Sequence, residues 1–558
     1  MRKIIIFFLI IFSAEPIFAQ KWLKKARTAQ VLIFAYDKSG NMKETQGFLV
    51  DANGTILTDY DSMKGATKAT AIDWKGVERP VQCILGANSM YNIAKLKIEL
   101  EEKNKCSWLE PAEVNTQEGQ SIYVFPRAKA EKSVKCTQDT IQKAETFEGE
   151  YQYYTLSNAL NERLSGSPIT DEKGNLIGMV QLSSKEGGSS YAIDAKYGLS
   201  LHIRPMDAGN NDLKAINIRK ALPEGEEDAA SFIFLTAKQD TAMYMSYIED
   251  FIKKYPNSTT GYITKAEFLI ENKKYADAET TYNQALSQDS VRKDEIHFSW
   301  AKQIYNLNLQ PKYETYNDWN MEKALNEINT AYDTYPLPTY LNQQGACLYA
   351  LKRYGEAYEK YMALSKTNMR TAETFLYAAQ CKQMTKAEPK EIIALQDSAL
   401  STFPTPIPPT AAHIVLMRGN TKAQAEMYRE AVQDYNIYEH LSSGHVSAKF
   451  YYDREQLEMK CRMFPNALND IERAAKLAPN EPIFRAEEAV VNYRVGQIEE
   501  AITAAKEAIR LDADFPDAYR ILGVCLDQKG EKSEAKKYLQ IAIEKGDQLA
   551  DGVLEKMQ

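Results

Sequence analysis

Tyr519-Arg520-Ile521-Leu522-Gly523-Val524-Cys525-Leu526, closed by Gly530 and followed by Ala535 and Ala542, is the stretch on which the reading of this chain turns. Its apolar residues recur at helical spacing, and Gly530 marks a break between two helices. Ala467, Ala501 and Ala535 stand 34 residues apart, and so do Ala474, Ala508 and Ala542. A fixed period of this length means stacked helix pairs, each of which buries its apolar face only against its neighbours.

The same pattern runs back through the chain. Tyr262, Ala266, Tyr275, Ala278, Tyr282 and Ala285 carry it in an early repeat, Gly345, Tyr354, Ala357 and Tyr361 in a middle one, and Gly419, Tyr428, Ala431 and Tyr435 in another. Small residues let two helices cross closely while an aromatic fills the space beside them. Pro256, Pro336, Pro404 and Pro479 close second helices, since proline cannot continue a helix. Spacing and residue types closely resemble tetratricopeptide repeats. About eight are expected over residues 226–558, the first degenerate around Phe232 to Pro256, one with an insertion near Gln310 to Asn317, and a closing helix over Gly546 to Gln558. Stacks of this kind form a groove for peptides or proteins. In this register its candidate lining residues are Asn342, Tyr349, Asn420, Tyr493, Arg494, Arg520 and Asp527. The lysines and asparagines of a chaperone-binding carboxylate clamp are not found.

Upstream, residues 206–225 are polar and rich in Gly and Asn, and read as a linker with one helical turn around Leu213 to Leu222. Before them, over 28–205, short strand-like runs alternate with turns: Val31 to Tyr36, Gly47 to Val50, Ile56 to Thr58, Lys68 to Trp74, Val81 to Leu85, Ile93 to Ile98, Ser121 to Phe125, Leu176 to Val180 and Ser190 to Ile193. Asp51-Ala52-Asn53-Gly54 and Asp171-Glu172-Lys173-Gly174 supply hairpin turns. Many short strands without helical periodicity predict a barrel or sandwich.

Gly47-Phe48-Leu49-Val50, then Asn53-Gly54-Thr55-Ile56-Leu57-Thr58-Asp59, then Asn92-Ile93-Ala94-Lys95-Leu96-Lys97-Ile98, then Ser165-Gly166-Ser167-Pro168 with Gly174-Asn175-Leu176-Ile177-Gly178 resemble, in order, the landmarks of trypsin-like proteases of the HtrA type. The resemblance implies a double β-barrel with a Ser-His-Asp triad between the barrels. Ser165 matches the nucleophile, but Asp61 stands at the histidine position and Asn92 at the aspartate position. Arg163 replaces the glycine of the oxyanion turn. The five histidines are His202, His297, His413, His440 and His445, so none precedes residue 202. A serine hydroxyl needs an adjacent base. Asp61 is a weak base for a hydroxyl, and Lys64, as the partner in a Ser-Lys dyad, would have to be desolvated. The expectation is therefore a pseudoprotease, with a divergent serine endopeptidase whose repeats recruit substrate as the alternative.

At 558 residues, 44% hydrophobic and 26% charged, the chain is of ordinary globular composition and long enough for more than one domain. A formal charge of -8 without a basic stripe argues against nucleic acid as a partner. No P-loop, dinucleotide fingerprint or clustered metal-ligand spacing is found, so no cofactor and no metal are expected. Arg2 and Lys3, an apolar run from Ile4 to Phe12 and a small residue at Ala19 follow the order of a secretory signal peptide over 1–19. The run is too short to span a bilayer, and a soluble protein of the periplasm or the cell exterior is expected. Of the seven cysteines, Cys347, Cys381 and Cys525 share one repeat slot. Equivalent slots lie about 8 to 10 Å apart, beyond disulfide reach, which predicts core filler. Cys83, Cys106 and Cys136 could form at most one bridge.

Overall fold

The structure, a computed structural model, describes residues 15–101, 106–126, 136–181, 190–237 and 240–557. Most of the expected leader lies outside the described residues. The backbone enters as helix α1 (Glu15–Ala29), which runs directly into the first strand. The chain divides into two compact units, Met1–Val291 and Arg292–Gln558.

The first unit contains two closed barrels. One is built from β1 (Gln30–Tyr36), β2 (Met42–Leu49), β3 (Thr55–Thr58), β4 (Lys68–Ile72), β5 (Glu78–Asn88) and β6 (Ile93–Ile98). The other holds β7 (Ser121–Val124), β8 (Thr137–Phe147), β9 (Tyr151–Leu156), β10 (Pro168–Thr170), β11 (Leu176–Gln181) and β12 (Tyr191–Asp194). The first closes in the order β1-β2-β3-β6-β5-β4 and the second in the order β7-β8-β9-β12-β11-β10, so both follow one antiparallel scheme. Period-two alternation places Val31, Ile33, Ile56, Leu96 and Ile98 inside the first barrel and Ile122, Val124, Ile141, Ile169 and Val180 inside the second. A third core joins them, with Ala26 and Ala29 of α1 against Phe48, Leu57, Phe125, Leu176 and Ile193.

Both expected hairpin turns form, and the same device occurs twice more. Asp37, Asp51, Asp73 and Asp171 each accept two backbone N–H bonds at 2.8–3.0 Å from residues two and four ahead. A glycine with φ between 83° and 86° follows each aspartate by three residues, a conformation that glycine adopts without steric cost. The sequence reading missed the short β10, and also β8 and β9. Their hairpin turns at Glu148-Gly149, both at positive φ, and the largely exposed outer half of β8 shows little apolar alternation.

Helices α2 (Tyr60–Met63) and α3 (Ala195–Ser200) decorate the barrels, and α4 (Asn211–Lys214) follows a 3-10 turn at Pro205–Gly209. The expected polar linker over 206–225 is corrected here. Ala208, Leu213, Ile216 and Ile218 are buried in the core of the first barrel, and Ile84 exchanges backbone hydrogen bonds with Arg219 and Ala221 at 2.9 and 2.8 Å. The apolar side chains, spaced among polar ones, all find one wall.

Helices α5 (Glu226–Thr236), α6 (Thr241–Lys254), α7 (Thr259–Glu271) and α8 (Tyr275–Leu286) complete the first unit. The second stacks α9 (Lys293–Asn308), α10 (Met321–Thr334), α11 (Pro338–Ala350), α12 (Tyr354–Leu364), α13 (Ala372–Met384), α14 (Pro389–Leu400), α15 (Ala412–Gln424) and α16 (Tyr428–Leu441). It continues through α17 (Ala448–Lys460), α18 (Phe464–Leu477), α19 (Pro482–Val495), α20 (Ile498–Leu511), α21 (Pro516–Lys529), α22 (Lys532–Glu544) and the closing α23 (Ala550–Lys556). Among the described residues this makes nine helix pairs, two in the first unit and seven in the second, against about eight expected. Ala467, Ala474, Ala501, Ala508, Ala535 and Ala542 have no exposed surface. A Cβ on Gly345 would stand 2.7 Å from the Tyr361 ring, and one on Gly523 2.7 Å from Leu539 Cγ. Cys347, Cys381 and Cys525 are free and fully buried. Burial pushes the Cys347 and Cys381 thiols up to about 11. Cys83, Cys106 and Cys136 are free as well.

Candidate functional site

Ser165 follows a single 3-10 turn, Glu162–Leu164, in the connection from β9 to β10. Gly166, at φ 77°, brings the backbone so close to β2 that a Cβ would lie 2.5 Å from the Gln46 carbonyl oxygen. Gln46 Nε2 donates to the carbonyl oxygens of Arg163 and Ser165 at 2.9 Å and to Ser167 Oγ at 2.8 Å. The first barrel thus grips the serine loop of the second. Ser165 Oγ is buried and makes no hydrogen bond among the described residues. The Arg163 N–H, in the oxyanion turn, already donates to Asn161 Oδ1 at 2.9 Å. Gly166 N–H donates to Val180 O and Ser167 N–H to Leu164 O, each at 3.0 Å.

The two other positions of the expected triad lie side by side but bond through the backbone. Asp61 belongs to the short α2, whose first turn is capped by Asp59 accepting the Ser62 N–H at 2.9 Å. Thr45 Oγ1 donates to the other oxygen of Asp59. Asn92, at φ 43°, accepts the Asp61 N–H on its Oδ1 at 2.9 Å, and its carbonyl accepts the Tyr60 N–H at 3.3 Å. Asn92 therefore brackets the end of α2 to β6. The side chains of Asp61 and Lys64 are exposed. His202 is exposed too, with its Nδ1 2.8 Å from Ser200 O.

The candidate groove residues fall into two groups. Asn342, Asn420 and Arg494 are exposed on α11, α15 and α19, although Asn420 Oδ1 also accepts the Tyr435 hydroxyl at 2.6 Å. Tyr349, Tyr493, Arg520 and Asp527 are half-buried. The Tyr349 ring lies 5.1 Å from that of Tyr354, and Tyr493 packs on the core shared by α19 to α22. Arg520 pairs with Asp517 and, at 2.7 Å, with Asp547, which in turn accepts the N–H groups of Leu549 and Ala550 that open α23.

The sequence reading missed a set of buried charges in the array. Arg418 forks onto both oxygens of Asp434, at 2.9 and 2.6 Å, and Arg454 onto both of Asp470, at 2.6 and 2.9 Å. Each arginine also reaches back one helix pair, Arg418 to Asp397 at 2.6 Å and Arg454 to Glu439 at 2.7 Å. The signal was available, since both arginines precede their aspartates by 16 residues in successive repeats. Beside Arg454 stand Glu455, with no exposed surface, and Glu458 at 2%. Each keeps one carboxylate oxygen without a partner among the described residues, and burial pushes each carboxyl up to about 8.

Two barrels of one topology meeting at a serine loop, followed by stacked helix pairs, define a trypsin-like double barrel joined to a tetratricopeptide repeat region. The family model of the trypsin-like peptidase domain matches residues 45–179, and that of the tetratricopeptide repeat matches residues 486–550. The chain is similar to small glutamine-rich tetratricopeptide repeat-containing protein 2 of Mycosarcoma maydis, at 31% identity over 86 residues, which are 15% of this chain and 24% of that protein. It is also similar to the HtrA-type protease AlgW solved with a tripeptide, at 19% identity, covering 32% of this chain and 61% of that one, with a TM-score of 0.28. The serine endoprotease from Yersinia pestis matches at 16% identity over 32% of this chain and 64% of its own, again with a TM-score of 0.28. The chain thus spans about a quarter of the curated relative and under two thirds of each of these solved chains. No described helix is long and apolar enough to cross a membrane.

Proposed function

We propose that this protein is an exported scaffold whose repeat array binds a protein or peptide and whose trypsin-like domain does not cleave. The observation that carries the reading is the state of Ser165. Among the described residues its Oγ has no hydrogen-bond partner, whereas a nucleophilic serine needs a base within about 2.6 to 3.2 Å. The residue at the histidine position, Asp61, is instead engaged through its backbone by Asn92. An N–H of the oxyanion turn is spent on Asn161, and one such donor is worth about 2.7 to 4 kcal/mol of transition-state stabilisation. Export is supported by the basic start and short apolar run of residues 1–19, and the exposed Asn342, Asn420 and Arg494 are the groove residues offered to a ligand. A fluorophosphonate probe tests the reading, because it labels activated serines and spares resting ones. The full-length protein is expected to stay unlabelled and Ser165→Ala to match it. Labelling that disappears with Ser165→Ala would establish the endopeptidase alternative.

A further inference from the structure

In the first unit, the segment after α3 and helices α5 and α6 line a half-open cavity of about 280 Å³. At about 30 Å³ per water-sized group it has room for roughly nine. Leu213, Ile216, Phe232, Met243 and Tyr247 give it an apolar wall.

Lys220 lines the same cavity and is only 9% exposed. Its Nζ donates to the carbonyl oxygens of Ile216 and Ile218, the latter at 2.6 Å. Among the described residues it forms no ion pair with a carboxylate. Burial is the sole influence on its ammonium and draws the pKa down to about 8. Two carbonyl dipoles ease the desolvation of a buried cation but do not neutralise it. The lysine is held firmly in place. Its N–H donates to the Tyr247 hydroxyl at 3.0 Å, and its neighbours Arg219 and Ala221 pair with Ile84 of β5.

The two carboxylates on the wall are committed elsewhere. Asp207 accepts the Arg204 N–H at 2.9 Å and pairs with its guanidinium at 3.3 Å. Asp240 caps α6 by accepting the N–H groups of Ala242 and Met243 at 3.0 Å. Among the described residues neither carboxylate pairs with Lys220, whose ammonium stands beside an apolar wall. One ammonium suffices to pair with a single carboxylate, and the apolar wall beside it suits an apolar tail.

We propose that this cavity binds a small apolar monocarboxylate, its carboxylate paired with the Lys220 ammonium and its tail against the apolar wall. Isothermal titration of the full-length protein with hexanoate, with hexan-1-ol as the uncharged match, tests this. Hexanoate is expected to bind at least tenfold more tightly than the alcohol, and its affinity to fall about tenfold between pH 7 and pH 9 as the lysine loses its proton. Lys220→Met should weaken hexanoate at least tenfold, while Lys214→Met, an exposed lysine on the same cavity wall, should weaken it by less. No binding of hexanoate, equal binding of the alcohol, or a loss confined to Lys214→Met overturns the proposal and leaves Lys220 as a structural cap on two carbonyls. Should Lys220→Met fail to fold, the alcohol and pH series on the unaltered protein decide the matter.

Discussion

Replacing Glu455 by alanine should make the array more stable in alkali and flatten its dependence on pH. Twelve residues before each buried alanine of the second helices lies the slot where paired helices cross. Counted from Ala357, Ala431, Ala501 and Ala535, that slot holds Gly345, Gly419, Ala489 and Gly523; counted from Ala467, it holds Glu455. The glutamate has no exposed surface. Gln456 Nε2 donates to one of its oxygens at 2.8 Å, and the other has no partner among the described residues. Burial, reinforced by the negative charges of Glu487 on α19, Glu458 on its own helix and Asp470 on α18, raises its carboxyl from 4.5 to about 8. The unfolded chain loses this proton near pH 4.5 and the folded array near pH 8. Between those values the folded state binds the extra proton, so stability falls as pH rises; outside them the group contributes no slope. At about 1.4 kcal/mol per pH unit, Glu455 should cost the array about 2 to 3 kcal/mol between pH 6 and pH 8. Urea denaturation followed by circular dichroism at 222 nm, for parent and Glu455→Ala at both pH values, measures the difference. A variant with the parent's slope, or one less stable than the parent at pH 9, would refute the reasoning.

Two further outcomes are expected. Ala501→Leu should overpack the crossing of α19 and α20 and cost about 1 to 3 kcal/mol, and Tyr493→Ala should also destabilise because that ring packs on the core; a melting series in which both behave as the parent would discard the register. In limited proteolysis, a fragment of residues 292–558 should stay compact, while one of residues 226–558 should lose α5 and α6 early, because Phe232, Tyr247, Ile248 and Phe251 share their core with the first barrel; equal survival of those helices would contradict the observed core.

The repeats were legible because close helix crossing demands small residues at a fixed interval, and a sequence displays that demand directly. Most strands with a buried inner face were legible for the same reason, whereas β8, exposed over much of its length, and the three-residue β10 were not. The segment over 206–225 misled because four buried side chains scattered among polar residues look like a linker until the barrel wall they cover is known. Glu455 and the two Arg-Asp pairs could have been found by laying the repeats in register, since each is a conspicuous polar residue in a slot of known burial. Gln46 could not, because its role comes entirely from the serine loop that folds against it from 117 to 121 residues further on.

That loop also shows why a protease-like motif is not by itself a sign of chemistry. Gly166 is required by a positive φ and by the Gln46 carbonyl 2.5 Å from where a Cβ would sit. Ser167 is fully buried and holds Gln46 Nε2. Pro168 opens β10 as a strand's first residue, where its missing N–H costs little. Three of the four residues in Ser165-Gly166-Ser167-Pro168 thus answer to packing alone. The fourth, Ser165, contributes its carbonyl to the Gln46 clamp, and its hydroxyl finds no partner among the described residues. A fold that needs this turn to join its two barrels will keep most of the motif whether or not a base is present. The match of these residues therefore reports the barrel junction, and catalysis has to be judged from the partners of Ser165 Oγ.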